Sequence, residues 1–225
     1  MAAELTSRNT TFFYALEAAA SGNTPVTGLL SEASPERVMV VVPHEDFHND
    51  KQLRRLPAAM SEAASTLVGF LTASQFARDK FGAGSPEHNK LEQEAELFLR
   101  KAELVNAYHS EISALYDAHR SKQITKLEAL EKKKRLFGEL EEKCRAILPL
   151  PASFNPCPSA MNNAGLAFDR TYTQRYPLLY GAFKAQPRGL AETIQKLREL
   201  PDAEQLKRVE PDLIEGIVEA ILTGK

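Results

Sequence analysis

Apolar side chains recur at helical spacing over the stretch that follows residue 57. Between Ala58 and about Phe81 they are three or four positions apart, which is the spacing of one face of an α-helix. Gly82-Ala83-Gly84 then ends the pattern, as glycines do at helix C-termini. The sequence therefore predicts one long helix here, and the apolar positions that recur along it are Met60, Ala63, Ala64, Leu67, Phe70, Leu71 and Phe76.

Two further apolar stripes predict a long antiparallel helical hairpin over residues 86–148. The first stripe runs from Leu97 to Tyr116 and the second from Ile124 to Ile147. Ser85-Pro86-Glu87 supplies the start signal, and the chain is expected to turn near His119 to Gln123.

The sequence before the first long helix is compatible with more than one secondary structure. Residues 1–36 are small and polar, and they are expected to be irregular or to hold a short strand. The β-branched run over residues 37–42 fits either a buried strand or the first turns of a buried helix. Pro43 fits best at a helix N-terminus, where its missing N–H group costs nothing.

The last third of the chain is expected to begin as an extended linker, because Pro149, Pro151, Pro156 and Pro158 interrupt it. Short amphipathic helices follow, two of them over residues 190–200 and 211–222. The sequence thus predicts a mainly-α fold with little β-structure. It has an N-terminal segment (residues 1–85), a helical hairpin (86–148), and a linker with C-terminal helices (149–225).

The balance of charged residues bears on which binding partners are expected. The 225 residues carry 28 basic and 30 acidic side chains, a formal net charge of −2, and the sequence pI is about 6.2. This balance gives no electrostatic reason to expect a nucleic acid or an anionic membrane as partner. No apolar run is long enough for a membrane span and no signal peptide is visible, so a soluble chain is expected. Two cysteines, Cys144 and Cys157, predict neither a disulfide framework nor a cysteine zinc site.

The strongest chemical signal is His44-Glu45-Asp46-Phe47-His48, which has the H-E-x-x-H pattern. On a helix, side chains four positions apart share a face, so both imidazoles can reach one Zn²⁺. Glu45 lies one step around the helix, where its carboxylate can take a proton from a water that zinc has made more acidic. A solvent-facing helix with incidental histidines is the alternative. His88, His109 and His119 are expected at the surface of the hairpin.

A zinc site of this kind needs a third protein ligand, and Glu62 is the candidate. It lies 14 residues after His48, near the start of the next predicted helix, and its neighbours are small or apolar. A buried face needs a reason to hold a charge, and a metal ion is such a reason. The alternative is an ordinary glutamate near a helix N-terminus, favoured by the helix dipole.

Three ordered segments carry a resemblance to a known family. They are VMVVVPHEDFHND, SEAASTLVGF and, after the hairpin, MNNAGLAFDRTY. Over about residues 24–185 the chain resembles the bacterial zinc aminopeptidases of the gluzincin type. The resemblance implies His44, His48 and Glu62 as zinc ligands and Glu45 as general base. Ser61 and Ala64 stand where that family usually has Asn and Phe.

The resemblance also implies an active-site cleft lined by Asn162-Asn163-Ala164 and Thr171-Tyr172. Asn162 and Asn163 could then bind the substrate backbone, although a helix N-cap explains one of them equally well. Tyr172 could donate to the oxyanion of the reaction, or it could be a half-buried aromatic. Members of the family usually carry a larger N-terminal region, often behind a lipoprotein signal. The periplasm or cell envelope is therefore the alternative to the cytoplasm.

Two functions follow from these observations. The first is zinc-dependent hydrolysis of a peptide or protein substrate, with Zn²⁺ as the cofactor. The second is a non-catalytic helical interaction module with a vestigial or structural zinc site. Glu45 favours the first function, because zinc binding alone does not require that carboxylate.

Overall fold

A computed structural model describes residues 28–155, 157–185 and 189–224, and this part of the chain is mainly helical and contains no strand. The predicted mainly-α fold is therefore confirmed, and the expectation for residues 1–27 lies outside the described residues. The α-helices are α1 (Gly28–Ser31), α2 (Pro35–Phe47), α3 (Ala58–Phe81), α4 (Pro86–Arg120), α5 (Lys126–Arg145), α6 (Asn163–Thr173), α7 (Tyr176–Ala185), α8 (Leu190–Arg198), α9 (Ala203–Leu206) and α10 (Ile214–Thr223), and two 3₁₀ turns lie at Leu53–Arg55 and Pro211–Leu213.

Helix α2 begins earlier than the sequence predicted. Ser34 caps it by accepting a hydrogen bond from the backbone N–H of Arg37, and Pro35 occupies the first turn. The strand alternative for residues 37–42 is therefore wrong, and so is the placement of Pro43 at a helix N-terminus. Pro43 lies inside α2. Its ring cannot donate the helical hydrogen bond to residue 39, a loss that the packing of α2 on α3 has to offset.

The predictions for the long helices are confirmed. Helix α3 has the expected bounds, and Gly82 ends it with a φ of 99°, a conformation that suits glycine. Helices α4 and α5 form the hairpin, and the turn between them lies at residues 121–125. Thr125 and Glu128 form a reciprocal capping box at the start of α5, which fixes where the second arm begins.

Helix α3 forms the centre of the core. It packs against α2, α4, α6, α7 and α8, and most of its residues between 60 and 77 are buried. Phe70, Phe98 and Tyr176 meet there with ring centroids 4.7–6.2 Å apart. Such edge-on and tilted aromatic contacts fix the orientation of α3 against α4 and α7. A second buried cluster, including Val105, Ile112, Phe137 and Leu140, runs along the hairpin.

The segment between α5 and α6 has no regular structure where it is described, as its prolines predicted. A disulfide joins Cys144 of α5 to Cys157 of this segment. The expectation that the two cysteines form no disulfide framework missed this bond, because the fold returns the segment to the end of α5. The C-terminal helices end close to the predicted limits. No helix in the described ranges combines the length and apolar character that crossing a membrane requires.

Gly69 allows α2 and α3 to approach closely. A Cβ atom at this position would lie 2.7 Å from the backbone oxygen of Val40 and 3.3 Å from Cβ of His44. The first of these distances is too short for two non-bonded atoms, and a backbone oxygen cannot move alone. Only glycine therefore permits the observed separation of the two helices at the level of His44.

We expect Gly69→Ala to push α2 away from α3 and to lower the free energy of unfolding by about 1–3 kcal/mol. Chemical denaturation checks this value. Gly138→Ala is the matched control, since Gly138 is also helical and a Cβ there would meet nothing within 4 Å. The control should be neutral or stabilising by up to about 1 kcal/mol. Equal stability of the two variants would contradict the close approach at Gly69.

Candidate metal centre

The C-terminal end of helix α2 places the two histidines of the H-E-x-x-H motif on one face, one turn apart: His44 lies in the last turn and His48 is the C-cap residue. The ring centroids of His44 and His48 are 4.9 Å apart, and their Nε2 atoms are separated by 3.3 Å. Both rings face α3, and the side chains of His44 and His48 are only 12% and 20% exposed to solvent. The local pattern that the sequence predicted for this pair is present.

Glu62 reaches the same point from α3. Its Oε2 atom lies 3.4 Å from Nε2 of His44 and 3.3 Å from Nε2 of His48. The three atoms thus form a nearly equilateral triangle. In a tetrahedral zinc site with bonds of about 2.0–2.1 Å, neighbouring ligand atoms are about 3.3–3.4 Å apart. The triangle therefore has the dimensions of one face of such a tetrahedron.

The environment of Glu62 also fits a cation. Its Oε2 atom is buried and has no hydrogen-bond partner among the described residues, although two imidazole nitrogens are close to it. Burial acts to raise the pKa of Glu62, but the contacts with His44 and His48 outweigh it and lower that pKa to about 2. The same contact with Glu62 raises the pKa of His48. A buried, ionised carboxylate oxygen next to two imidazole nitrogens matches the donor set of a zinc site.

Two hydroxyl groups of α3 contact the opposite side of the imidazoles. Oγ of Ser65 lies 3.3 Å from Nδ1 of His48, and Oγ1 of Thr66 lies 3.4 Å from Nδ1 of His44. A histidine that binds metal through Nε2 carries its proton on Nδ1, and it usually donates that proton to a neighbouring acceptor. Ser65 and Thr66 can accept it, which would hold both rings in the orientation that points Nε2 toward Glu62.

Glu45 and Tyr172 both line a cavity of about 330 Å³ beside the histidine pair. Burial raises the pKa of the Glu45 carboxyl, and the neighbouring His44 and His48 oppose that shift. Burial, together with the charges of Glu62 and Glu45, raises the pKa of Tyr172 to about 12. The phenol of Tyr172 is therefore protonated at neutral pH, and its ring centroid lies 6.0 Å from that of His44.

The structure places Asn162 and Asn163 at the start of α6. The Asn162 side chain accepts a hydrogen bond from the backbone N–H of Gly165 and so caps the helix. The Asn163 side chain pairs with the hydroxyl of Tyr116 on the hairpin. Thr171 donates its hydroxyl proton to Ala167 within α6. The cavity lining includes none of the three, so their role in substrate binding stays a prediction.

Several residues of the site were missed by the sequence reasoning. Ser65 and Thr66 lie three and four positions after Glu62, and that helical spacing could have suggested them. Lys101 and Asp169 line the cavity and form an ion pair, with Nζ to Oδ1 at 2.7 Å. They are 68 positions apart on different helices, and no local pattern links them.

This arrangement defines a helical protein in which three side chains that could hold a metal ion converge beside a cavity. The sequence model of the family described as "Putative aminopeptidase" matches residues 22–211. The chain therefore belongs to that family. Searches of curated proteins and of solved structures gave no match.

The contact between Thr66 and His44 can be tested by removing the hydroxyl alone. We expect Thr66→Val to weaken zinc binding by about 10–100-fold, because the Nδ1 proton of His44 loses its acceptor. Thr66→Ser keeps the hydroxyl and should bind zinc nearly as the parent does. Calorimetric titration with zinc measures both variants. If the Val and Ser variants bind zinc equally well, the hydroxyl does not orient the imidazole.

Proposed function

We propose that this protein is a zinc-dependent peptidase, and that His44, His48 and Glu62 hold the ion. The convergence of the three ligand atoms, at separations of 3.3–3.4 Å, carries the proposal. The family description supports peptide hydrolysis, with the aminopeptidase activity that its name states. Zinc at this position would supply a Lewis acid that polarises the scissile carbonyl and lowers the pKa of a nearby water.

The residues around the site have separate tasks in this proposal. Glu45 takes a proton from the attacking water and returns it to the leaving amine. Its partial burial and raised pKa suit a group that must both accept and release a proton near neutral pH. Tyr172 donates its phenolic proton in a hydrogen bond to the oxygen on which negative charge develops.

The number of ligands favours a catalytic over a structural zinc site. Among the described residues, the one group of three or more metal-binding side chains consists of His44, His48 and Glu62. Structural zinc sites are almost always completed by a fourth protein ligand, whereas catalytic sites keep one position open for water or substrate. His44 and Glu45 also line the cavity, which gives a substrate access to this point.

The metal assignment is tested by zinc content after dialysis. The parent protein should retain about one zinc ion, and His48→Ala should lose most of it, because a three-ligand site tolerates the loss of a ligand poorly. His109→Ala on α4 is the control and should keep the parent stoichiometry. Atomic absorption that finds equal zinc in the His48 variant and the parent would remove this site from the proposal.

The chemical assignment is tested by Glu45→Gln, which keeps the shape of the side chain and removes the base. Zinc content should stay unchanged, while kcat for peptide hydrolysis falls by about 10²–10⁴-fold. Tyr172→Phe should show a loss on the order of 10²-fold for the same substrates.

A peptide library assayed with both variants and the parent provides the measurement. Retained activity in Glu45→Gln would assign the hydrolysis to another site or to a contaminant. Zinc binding by the parent without hydrolysis of any peptide would favour the interaction module instead.

A further inference from the structure

The cavity beside the metal centre has the size of a site for one small unit of a substrate. Its volume of about 330 Å³ lies near the lower end of the range for ligand sites, which is roughly 300–1,000 Å³. It adjoins α2 through Val40, Val41 and His44, so a group that enters it lies next to the metal ligands. A single amino-acid residue fits such a space better than an extended peptide does.

Aromatic rings form a substantial part of the cavity wall, beside polar and charged side chains. Phe70, Phe98, Phe154 and Phe168 contribute to it, together with Tyr172. The ring centroids of Phe98 and Phe154 are 5.1 Å apart, and those of Phe168 and Tyr172 are 5.2 Å apart. These mutual contacts hold the rings in fixed positions, which produces a preformed apolar surface.

Apart from Glu45, the proposed base, the charged side chains of the cavity wall bond to groups of the chain itself. Lys101 and Asp169 form an ion pair whose side chains are only 3% and 2% exposed. Asp169 also accepts hydrogen bonds from the backbone N–H and the hydroxyl of Ser159. Arg37 donates to the backbone oxygen of Ser153 and to the side-chain oxygen of Asn155.

A charged substrate side chain would lose its hydration in this cavity, and it would have to compete for partners that are already bonded. Both effects cost free energy. An apolar side chain would instead exchange water for contact with the aromatic wall. Discrimination by polarity is therefore built into the cavity.

We infer that this cavity is the pocket for one apolar side chain, aliphatic or aromatic, of a residue that flanks the cleaved bond. The inference rests on the proposed peptidase function and names its substrate class: peptides with an apolar residue at the cleavage position. Phe154 is the residue chosen to test this preference, because it lines the cavity, is half-buried and has its ring against that of Phe98.

Amino-acid hydroxamates test the pocket without any need for turnover. They chelate zinc and place their own side chain beside it. In calorimetry on the zinc-loaded protein, the L-leucine and L-phenylalanine hydroxamates should bind at least about 10-fold more tightly than those of L-glutamate and L-lysine. Equal or tighter binding of the charged hydroxamates would overturn the inference.

Variants locate the preference in the aromatic wall. Phe154→Ala should weaken binding of the L-phenylalanine hydroxamate by about 10-fold and leave that of the glycine hydroxamate nearly unchanged. Phe76→Ala is the matched control, since Phe76 is 46% exposed on α3 and does not line the cavity. If Phe154→Ala and Phe76→Ala change the affinity for the L-phenylalanine hydroxamate, relative to the glycine hydroxamate, by the same factor, the aromatic rings of the cavity do not produce the preference.

A second substitution covers the case in which Phe154→Ala does not fold. Val41→Asp places a carboxylate in the cavity from helix α2, and it should reverse the order of affinities in favour of the L-lysine hydroxamate. An unchanged ranking would contradict the assignment of the pocket.

The outcomes separate the two proposals. A preference for apolar hydroxamates without hydrolysis of any peptide keeps the pocket and overturns the peptidase function. Peptide hydrolysis without a preference for apolar hydroxamates keeps the peptidase function and overturns the pocket. A parent protein that binds no zinc overturns both.

Discussion

The close contact between α2 and α3 at Gly69 is the constraint on which the rest of the site depends. His44 belongs to α2 and His48 is its C-cap residue, whereas Glu62, Ser65 and Thr66 belong to α3. Separations of 3.3–3.4 Å between their atoms are possible only if the two backbones approach each other as they do here. One missing side chain at Gly69 therefore sets the geometry of both the ligand atoms and the hydroxyls behind them.

Helix α3 combines two tasks that usually conflict. It is the centre of the hydrophobic core, and it also presents a carboxylate with one buried oxygen at the candidate metal centre. Burying a charge without a partner is costly, but a cation between Glu62 and the imidazoles would remove most of that cost. The small residues Ala63 and Ala64, both fully buried, leave room for α2 and α4 to cover the helix on either side of that carboxylate. The proposed function therefore implies that zinc binding and folding are coupled.

The sequence predicted those parts of the structure that depend on local spacing. The bounds of α3, the hairpin and the group formed by His44, His48 and Glu62 all follow from helical periodicity and from one short connection. Pro43 was placed wrongly because a proline is read as a helix start. Here Ser34 and Pro35 already provide the start, and packing on α3 supports a proline inside the helix. Tertiary contacts determine the position of α2, and the spacing of apolar residues in the sequence does not indicate those contacts.

The cavity could not be predicted for the same reason. Its walls come from residues that the chain brings together over long separations, such as Lys101 and Asp169. The disulfide shows the same limit, since two cysteines 13 positions apart become partners only when the linker folds back on α5. Composition and spacing identify residue types that can perform chemistry, whereas the shape of the space beside them depends on the whole fold.

The hairpin helix α4 has a larger part in the site than its charged surface suggests. Two of its buried side chains hold the extended segment against the cavity. Glu94 accepts hydrogen bonds from the backbone N–H groups of Ala152 and Ser153, and Lys101 donates to the backbone oxygen of Asn155. Buried polar groups of this kind fix a backbone path more strictly than apolar contacts do, because every misplaced bond leaves a desolvated group. Glu94 and Lys101 therefore tie the segment that carries Phe154 to the hairpin, so the shape of the cavity depends on the hairpin as well as on α2 and α3.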